Sequence, residues 1–555
     1  MLKMTGAQII VRLLERQGVR TIAGIPGGAI LPLYDALSRS DVICHVLAGQ
    51  EQGAGFIAHG MARVSGKPMV CFASSGPGAT NLLTAIADAK LDSIPLVCIT
   101  GQVPLPMIGT DAFQEVDTYG LTIPITKHNF LVRDAAELLK IIPAAFRIAA
   151  SGRPGPVLVD VPKDVQSQTI EFATWPEPGK PVDPPAPDAE AISAAARLIN
   201  GAERPILYVG GGVIHSEAAA LATMLAEKAS LPMTMTLMAL GVLPTDHPLS
   251  LGMLGMHAAR YTNLALEECD LLIALGARFD DRATGKVALF CPNAKIVHVD
   301  IDASELDKIK TAHVGIVGDV RGVVEALLPQ VWSTPRTDWL ARIGTLKQTH
   351  PLRMPNANDP RSHYGLILAV ARQLDDNAII ATDVGQHQMW VAQAYPLRAP
   401  RRWITSGGLG TMGFGLPAAI GAALAEPSRT VVCFTGDGSL RMNIQELATA
   451  AEERANVKII LMNNNSLGLV HQQQELFYGK RVYASKYRTH VDFVKIAQGF
   501  GIRAWDLDLA VDPIGLLAHE LAEPGPCLIH ASIDVRENVY PMVPPGAANK
   551  EMIGG

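Results

Sequence analysis

The sequence predicts an α/β fold of three domains, two related doubly wound parallel sheets flanking a third parallel-sheet domain. Two observations carry that expectation. Short apolar runs ending in Gly-, Asp- or Asn-rich turns alternate with helix-period patterns along the whole chain, as expected for parallel sheets covered on both faces. Two proline-rich stretches interrupt the alternation. One is Trp175 to Pro187 (WPEPGKPVDPPAP), and the other is a polar segment from Trp332 to about Arg361 with prolines at 335, 351, 355 and 360. The chain has 555 residues, too many for one core. The breaks predict domains over 1–174, 188–332 and 362–540, with a tail over 541–555.

In the first domain, Val46-Leu47-Ala48 reads as the end of a strand that leads through Gly49-Gln50 to Glu51, and a helix of small residues follows. Val70 to Ala73 is a second strand running into Ser74-Ser75-Gly76-Pro77-Gly78. In the third domain, Val431 to Thr435 runs into Gly436-Asp437-Gly438-Ser439, and Val457 to Met462 ends in Asn463-Asn464. The Ser74 and Gly436 turns parallel each other, which points to a duplication, although two strand-to-helix turns can look alike by chance. In the middle domain, Ile206 to Val209 precedes Gly210-Gly211-Gly212, Leu271 to Leu275 precedes Gly276, and Lys295 to Val299 precedes Asp300-Ile301-Asp302. Gly-rich turns after strands bind dinucleotides. No GxGxxG is present, so these residues alone leave that binding open. The first eighteen residues read as an amphipathic helix and not as a signal peptide.

Composition excludes several classes. The net charge is −6 with no basic block, which argues against a nucleic-acid surface. The seven cysteines form no CxxC pair, so neither zinc nor a disulfide framework is expected, and a reducing cytoplasm fits. No run of eighteen apolar residues exists, so no membrane span is expected.

The chemistry concentrates at the strand ends of the third domain. Asp437 and Asn464 offer hard oxygen ligands just past two apolar strands, where open parallel sheets hold ligands. Such oxygens suit an octahedral Mg²⁺ that also binds a diphosphate, and the glycines let backbone N–H groups approach phosphate. The plainer alternative is two ordinary strand-to-helix turns. Gly-Asp-Gly followed about two dozen residues later by Asn-Asn resembles the diphosphate-anchoring motif of thiamine-diphosphate enzymes. Such an enzyme needs a carboxylic acid at N1′ of the cofactor's aminopyrimidine, and Glu51 is the candidate. Burial would raise its pKa and ease that proton exchange. The alternative for Glu51 is a helix-terminal acid favoured by the macrodipole.

The resemblance extends along nearly the whole chain. Gly24-Ile25-Pro26-Gly27-Gly28, Ser75 to Asn81, Asp92-Ser93-Ile94-Pro95 and Thr110 to Glu115 look like the acetolactate synthase large-subunit family. So do Gly152 to Val157, Gly276 to Arg282, Ser406 to Gly413 and Met442 to Leu447. The family implies decarboxylation of pyruvate and joining of its two-carbon unit to a second 2-keto acid. Pyruvate as acceptor gives 2-acetolactate and 2-ketobutyrate gives 2-aceto-2-hydroxybutyrate, on the route to valine, leucine and isoleucine. It implies thiamine diphosphate, Mg²⁺ and FAD, the last in a Rossmann-like middle domain.

By resemblance, Glu51, Gly28, Gln114 and Met412 serve catalysis, with Met412 under the cofactor. Gly385, Gln386, His387, Gly410, Gly436, Asp437, Gly438, Ser439, Asn464, Ser466, Leu467 and Gly468 contact thiamine diphosphate. Asp437, Asn464 and Ser466 hold the metal, and Phe113, Gln114 and Gln473 face substrate. FAD falls to Arg153, Gly210, Gly211, Gly212, His257, Gly276, Arg278, Asp300, Asp302 and Asp319. Implied partners are a second copy or more of the chain and a separate small regulatory subunit. Two departures stand out. Gly49-Gln50 replaces the usual Arg-His before the catalytic Glu, and Gln473 replaces a Trp that favours 2-ketobutyrate. The Gln, like the tail from Pro541 to Asn549, resembles the bacterial isozyme I type. Glyoxylate carboligase and pyruvate oxidase are the rival enzymes; Glu51 argues against the first, and peroxide release would mark the second.

Overall fold

The structure, a computed structural model, describes residues 1–554. Eighteen of its strands form three six-stranded, wholly parallel sheets, one after another along the chain. The N-terminal region contains β1 (Leu2–Thr5), β2 (Thr21–Gly24), β3 (Cys44–Leu47), β4 (Met69–Ala73), β5 (Leu96–Gln102), β6 (His128–Leu131), β7 (Val157–Pro162) and β8 (Thr169–Phe172). Its sheet runs β3-β2-β4-β5-β7-β6. The middle region contains β9 (Pro205–Val209), β10 (Met233–Met235), β11 (Ser250–Met253), β12 (Leu271–Leu275), β13 (Lys295–Asp300) and β14 (Val314–Val317), in the order β11-β10-β9-β12-β13-β14. The C-terminal region contains β15 (Ile379–Thr382), β16 (Trp403–Ile404), β17 (Val431–Gly436), β18 (Val457–Asn463), β19 (Arg503–Asp506) and β20 (Cys527–Ser532), in the order β16-β15-β17-β18-β20-β19.

Counted from the first strand of each sheet, the N- and C-terminal sheets share one order, 2-1-3-4-6-5. The Ser74 and Gly436 turns both follow the third strand of that order, so the likeness in sequence is a likeness of place. The middle sheet has the order 3-2-1-4-5-6 of dinucleotide-binding folds. Strands β5, β7, β9, β12 and β17 are buried along their whole length, because helices cover both faces.

The N- and C-terminal regions meet through two helices, Glu51–Ser65 and Gly415–Ala425. Glycine permits the close crossing. A Cβ on Gly60 would strike the Ala418 carbonyl, and one on Gly421 would strike the Ile57 carbonyl.

Two elements differ from the sequence reading. The chain starts with a strand and not a helix: β1 pairs antiparallel with β8, and the helix begins at Gly6. Thr5 ends the strand and caps the helix, its Oγ1 accepting from Gln8 N while Gln8 Oε1 accepts from Thr5 N. The polar stretch after Trp332 contains a helix, Thr337–Thr349, whose Trp339, Ile343 and Leu346 are buried against the middle sheet's second apolar cluster. Apolar residues at such intervals are the signature of an amphipathic helix, and the flanking prolines masked it. The segment from Trp175 to Pro187 has no helix or strand.

Candidate active site

Parallel sheets bind ligands at the C-terminal strand ends, where the order reverses. In the C-terminal sheet that place lies between β15 and β17. One cavity there is lined by Gly385, Gln386, His387, Gly410, Met412, Gly436, Asp437, Gly438, Ser439, Asn464, Ser466, Leu467 and Gly468. Every C-terminal residue expected to touch the cofactor is in that wall.

The geometry shows why these residue types are needed. Asp437 is 1% exposed, and its Oδ2 is buried without a hydrogen-bond partner among the described residues. Burial pushes its carboxyl pKa up to about 6, against the Arg441 charge and the backbone N–H groups of Asn464 and Gly438, which pull it down. Asn464 donates from Nδ2 to Gln386 Oε1 at 3.0 Å, which leaves Oδ1 as its free acceptor. Ser466 donates its hydroxyl to Ser485 O at 2.7 Å, so its carbonyl and the hydroxyl's lone pairs remain as acceptors. His387 is buried with Nε2 unpaired, and desolvation lowers its pKa to about 3, so it is a neutral imidazole. A cation on Asp437 and an anion accepting from His387 would satisfy two otherwise orphaned atoms. A Cβ on Gly438 would lie 2.8 Å from Leu467 and 3.4 Å from Met412 Cε, so the backbone stays accessible only as glycine. The donor set therefore fits a divalent cation with a diphosphate.

The N-terminal residues gather at a different place. Glu51 is the first residue of its helix, with Oε2 accepting from Asn81 Nδ2 at 2.9 Å. Gly78 lies beside its other oxygen; a Cβ there would be 3.3 Å from Oε1. Gln114 has φ +59° and packs its backbone on Gly76, Gly27 lies against Ser74, and Gly28 is exposed beside open space. Phe113 is 87% exposed. These residues cluster around the turn after β4, and none lines the Asp437 cavity of the same chain. The burial expected around Glu51 is incomplete here, because Glu51 is half-exposed in the single chain. Gln473 is half-buried, about one turn beyond Val470, which does line the cavity.

A second cavity opens at the reversal point of the middle sheet. Arg153, Gly210, Gly211, Gly212, Gly276, Arg278, Asp300 and Asp319 all line it. Gly276 has φ +55° and its turn packs backbone to backbone on Gly212, where a Cβ would come 2.6 Å from Gly212 Cα. His257 and Asp302 are not in this wall. His257 is buried with Nδ1 3.3 Å from the Pro541 carbonyl. Asp302 caps a short turn and pairs with Arg153 at 3.3 Å, while Glu305 pairs with the same guanidinium nitrogen at 2.8 Å. Pro181 to Pro184 of the linker also line the cavity, a role the proline-rich composition did not suggest.

Sequence reasoning missed two supporting carboxylates. Asp383, at the end of β15, accepts from Gly413 N at 2.8 Å and Gly415 N at 2.9 Å and so holds the segment carrying Met412. Glu446 is fully buried and accepts from Gly49 N at 3.2 Å, just ahead of Glu51. An acid directly after a buried strand was the available signal for Asp383. Glu446 lies in the run Met442 to Leu447 that carries the resemblance, but nothing local there marks its contact with Gly49.

This arrangement defines a thiamine-pyrophosphate enzyme, and three family models of that class match in order. They are the N-terminal TPP binding domain over residues 4–121, the central domain over 192–327 and the C-terminal TPP binding domain over 383–531. The acetolactate synthase isozyme 1 large subunit of Escherichia coli (strain K12) is 64% identical over 552 residues, covering 100% of this chain and 98% of that relative. The acetolactate synthase large subunit of Parasynechococcus marenigrum is 48% identical over 99% of this chain and 91% of its own length. The isozyme 2 large subunit of E. coli is 46% identical over 99% of both chains. The chain belongs to the acetolactate synthase large-subunit family.

Proposed function

We propose that the chain is an acetolactate synthase catalytic subunit of the isozyme I type. It decarboxylates pyruvate and joins the two-carbon unit to a second pyruvate or to 2-ketobutyrate. The observation that carries this reading is the unpaired, buried Asp437 oxygen, set with Asn464 and the Gly436–Gly438 turn around one cavity. Thiamine diphosphate, when bound, supplies the nucleophilic carbon that no side chain of the protein provides. Asp437, Asn464 and Ser466 would hold Mg²⁺, and the glycine turns and His387 would bind the diphosphate. Met412 would support the cofactor from the cavity wall, on a segment held by Asp383. Glu51 holds and returns the proton at the pyrimidine N1′. Gly28, Phe113 and Gln114 border the substrate, and Gln473 borders the acceptor. The glycine turns at Gly210–Gly212 and Gly276, with Arg153, would hold FAD in the second cavity.

The assembly is at least a homodimer, with a separate small regulatory subunit. Among the described residues no helix is long and apolar enough to cross a membrane. The purified chain, given pyruvate, thiamine diphosphate, Mg²⁺ and FAD, forms acetolactate in the deciding assay. Pyruvate consumption with peroxide and no acetolactate would replace this reading with an oxidase.

A further inference from the structure

Between the two cavities runs the segment Ser406–Met412. Its far end, Gly410 and Met412, lines the diphosphate cavity. Its near end lies against two residues of the dinucleotide cavity, Asp92 and Met238. Asp92 Oδ1 accepts from Gly408 N at 2.7 Å and Oδ2 accepts from Gly407 N at 3.1 Å. Met238 Sδ is packed so closely on Gly407 that a Cβ there would overlap it. One helical turn before Asp92, Asp88 Oδ2 accepts from Ser406 Oγ at 2.5 Å and from Thr411 Oγ1 at 2.6 Å. Thr411 N in turn donates to Ser406 Oγ at 2.8 Å, which closes the loop on itself. Both acids are buried, on one face of the N-terminal helix Pro77–Asp92, and Arg63 neutralises Asp92.

We propose that Asp88 and Asp92 are positioning residues that clamp the Ser406–Met412 segment and so couple flavin binding to thiamine-diphosphate binding. The inference rests on the cofactor assignments above. Its physical content is that a ligand in the middle-domain cavity fixes Asp92 and Met238. They fix Gly407 and Gly408, and Asp88 carries the constraint through Ser406 and Thr411 to Met412. A coupling free energy is reciprocal, so each cofactor must tighten the other by the same factor.

The test is a binding cycle that needs no turnover. FAD affinity is read from flavin fluorescence with and without saturating thiamine diphosphate and Mg²⁺. Thiamine diphosphate affinity is read by calorimetry with and without FAD. Equal factors of at least about fivefold are expected in the native chain. In Asp92→Asn, which can accept through one oxygen only, the factor should fall close to one. Met238→Ala leaves every hydrogen bond of the clamp in place and should lower the factor too; it carries the test if the Asp92 variant fails to fold. A native factor of one, or a native factor kept by the folded variants, overturns the clamp. A native chain that binds thiamine diphosphate but no FAD overturns the dinucleotide reading together with the clamp.

Discussion

At the scale of single residues, the site is defined by atoms left without partners. A buried, unpaired acceptor costs about 1–3 kcal/mol, so Asp437 Oδ2 marks a place where binding repays folding. Asp437→Ala should therefore abolish Mg²⁺-dependent binding of thiamine diphosphate while leaving the fold intact. Calorimetry that returned the native affinity would remove Asp437 from the metal site. Glu51 differs because it is half-exposed in the single chain. Glu51→Gln keeps the bond to Asn81 but cannot exchange a proton, and activity should fall by about 10²–10⁴-fold with the cofactor still bound. Turnover at the native rate would refute its role. Asp437 and Asn464 were legible in the sequence because each follows its own strand directly. Glu446 was not, because its partner Gly49 lies 397 positions away. The same contact bears on the Gly49-Gln50 departure. A Cβ at residue 49 would come 2.6 Å from Gln445 Cγ, so glycine lets the Gln445-Glu446 turn close on the segment before Glu51.

Acceptor choice is also a matter of one side chain. The two acceptors differ by one methylene, which an apolar wall discriminates by about 1–3 kcal/mol. Gln473 lies on the helix Gly468–Phe477, whose first turn forms part of the cavity wall, and it offers a polar surface where the resemblance implies that Trp is usual. Competition between pyruvate and 2-ketobutyrate should show little preference, and Gln473→Trp should raise the share of 2-aceto-2-hydroxybutyrate. An unchanged share would mean that another residue forms that wall.

At the scale of elements, regular patterns were readable and contacts between distant segments were not. The buried strands and the glycine turns after them read directly, because burial on both faces leaves near-continuous apolar runs. β1 escaped notice because four residues at a sheet edge carry no pattern of their own; only β8, far along the chain, makes them a strand. The crossing of Glu51–Ser65 on Gly415–Ala425 was legible only in part. The small residues announced close packing, and the structure supplies the partner. A side chain at Gly421 must displace the Ile57 carbonyl, which belongs to backbone and cannot swing away. Gly421→Val should destabilise the protein by about 1–3 kcal/mol or more, seen as a lower melting temperature. Because Glu51 begins the partner helix, activity should fall with it. A melting temperature equal to the native value would show that the two helices separate readily.

At the scale of the molecule, the identical 2-1-3-4-6-5 order of the outer sheets makes each a half-site at its own reversal point. One half offers Glu51 with the turn after β4, and the other offers Asp437 with the turn after β17. In one chain these halves do not share a cavity: the wall that contains Asp437 excludes Glu51, Gly28, Phe113 and Gln114. In the N-terminal region Leu31, Leu47, Met107 and Phe113 present apolar surface in the single chain. A two-fold assembly that sets the N-terminal half of one copy against the C-terminal half of another would cover that surface and complete two equivalent sites. The prediction is complementation. Glu51→Gln chains and Asp437→Ala chains are each inactive, but a hybrid dimer carries both lesions in one site and leaves the other intact. Random mixing makes about half the dimers hybrid, so co-expressed variants should recover about a quarter of native activity. Mixed chains as inactive as either parent, or a native monomer active in sedimentation, would place both halves of the site within a single chain.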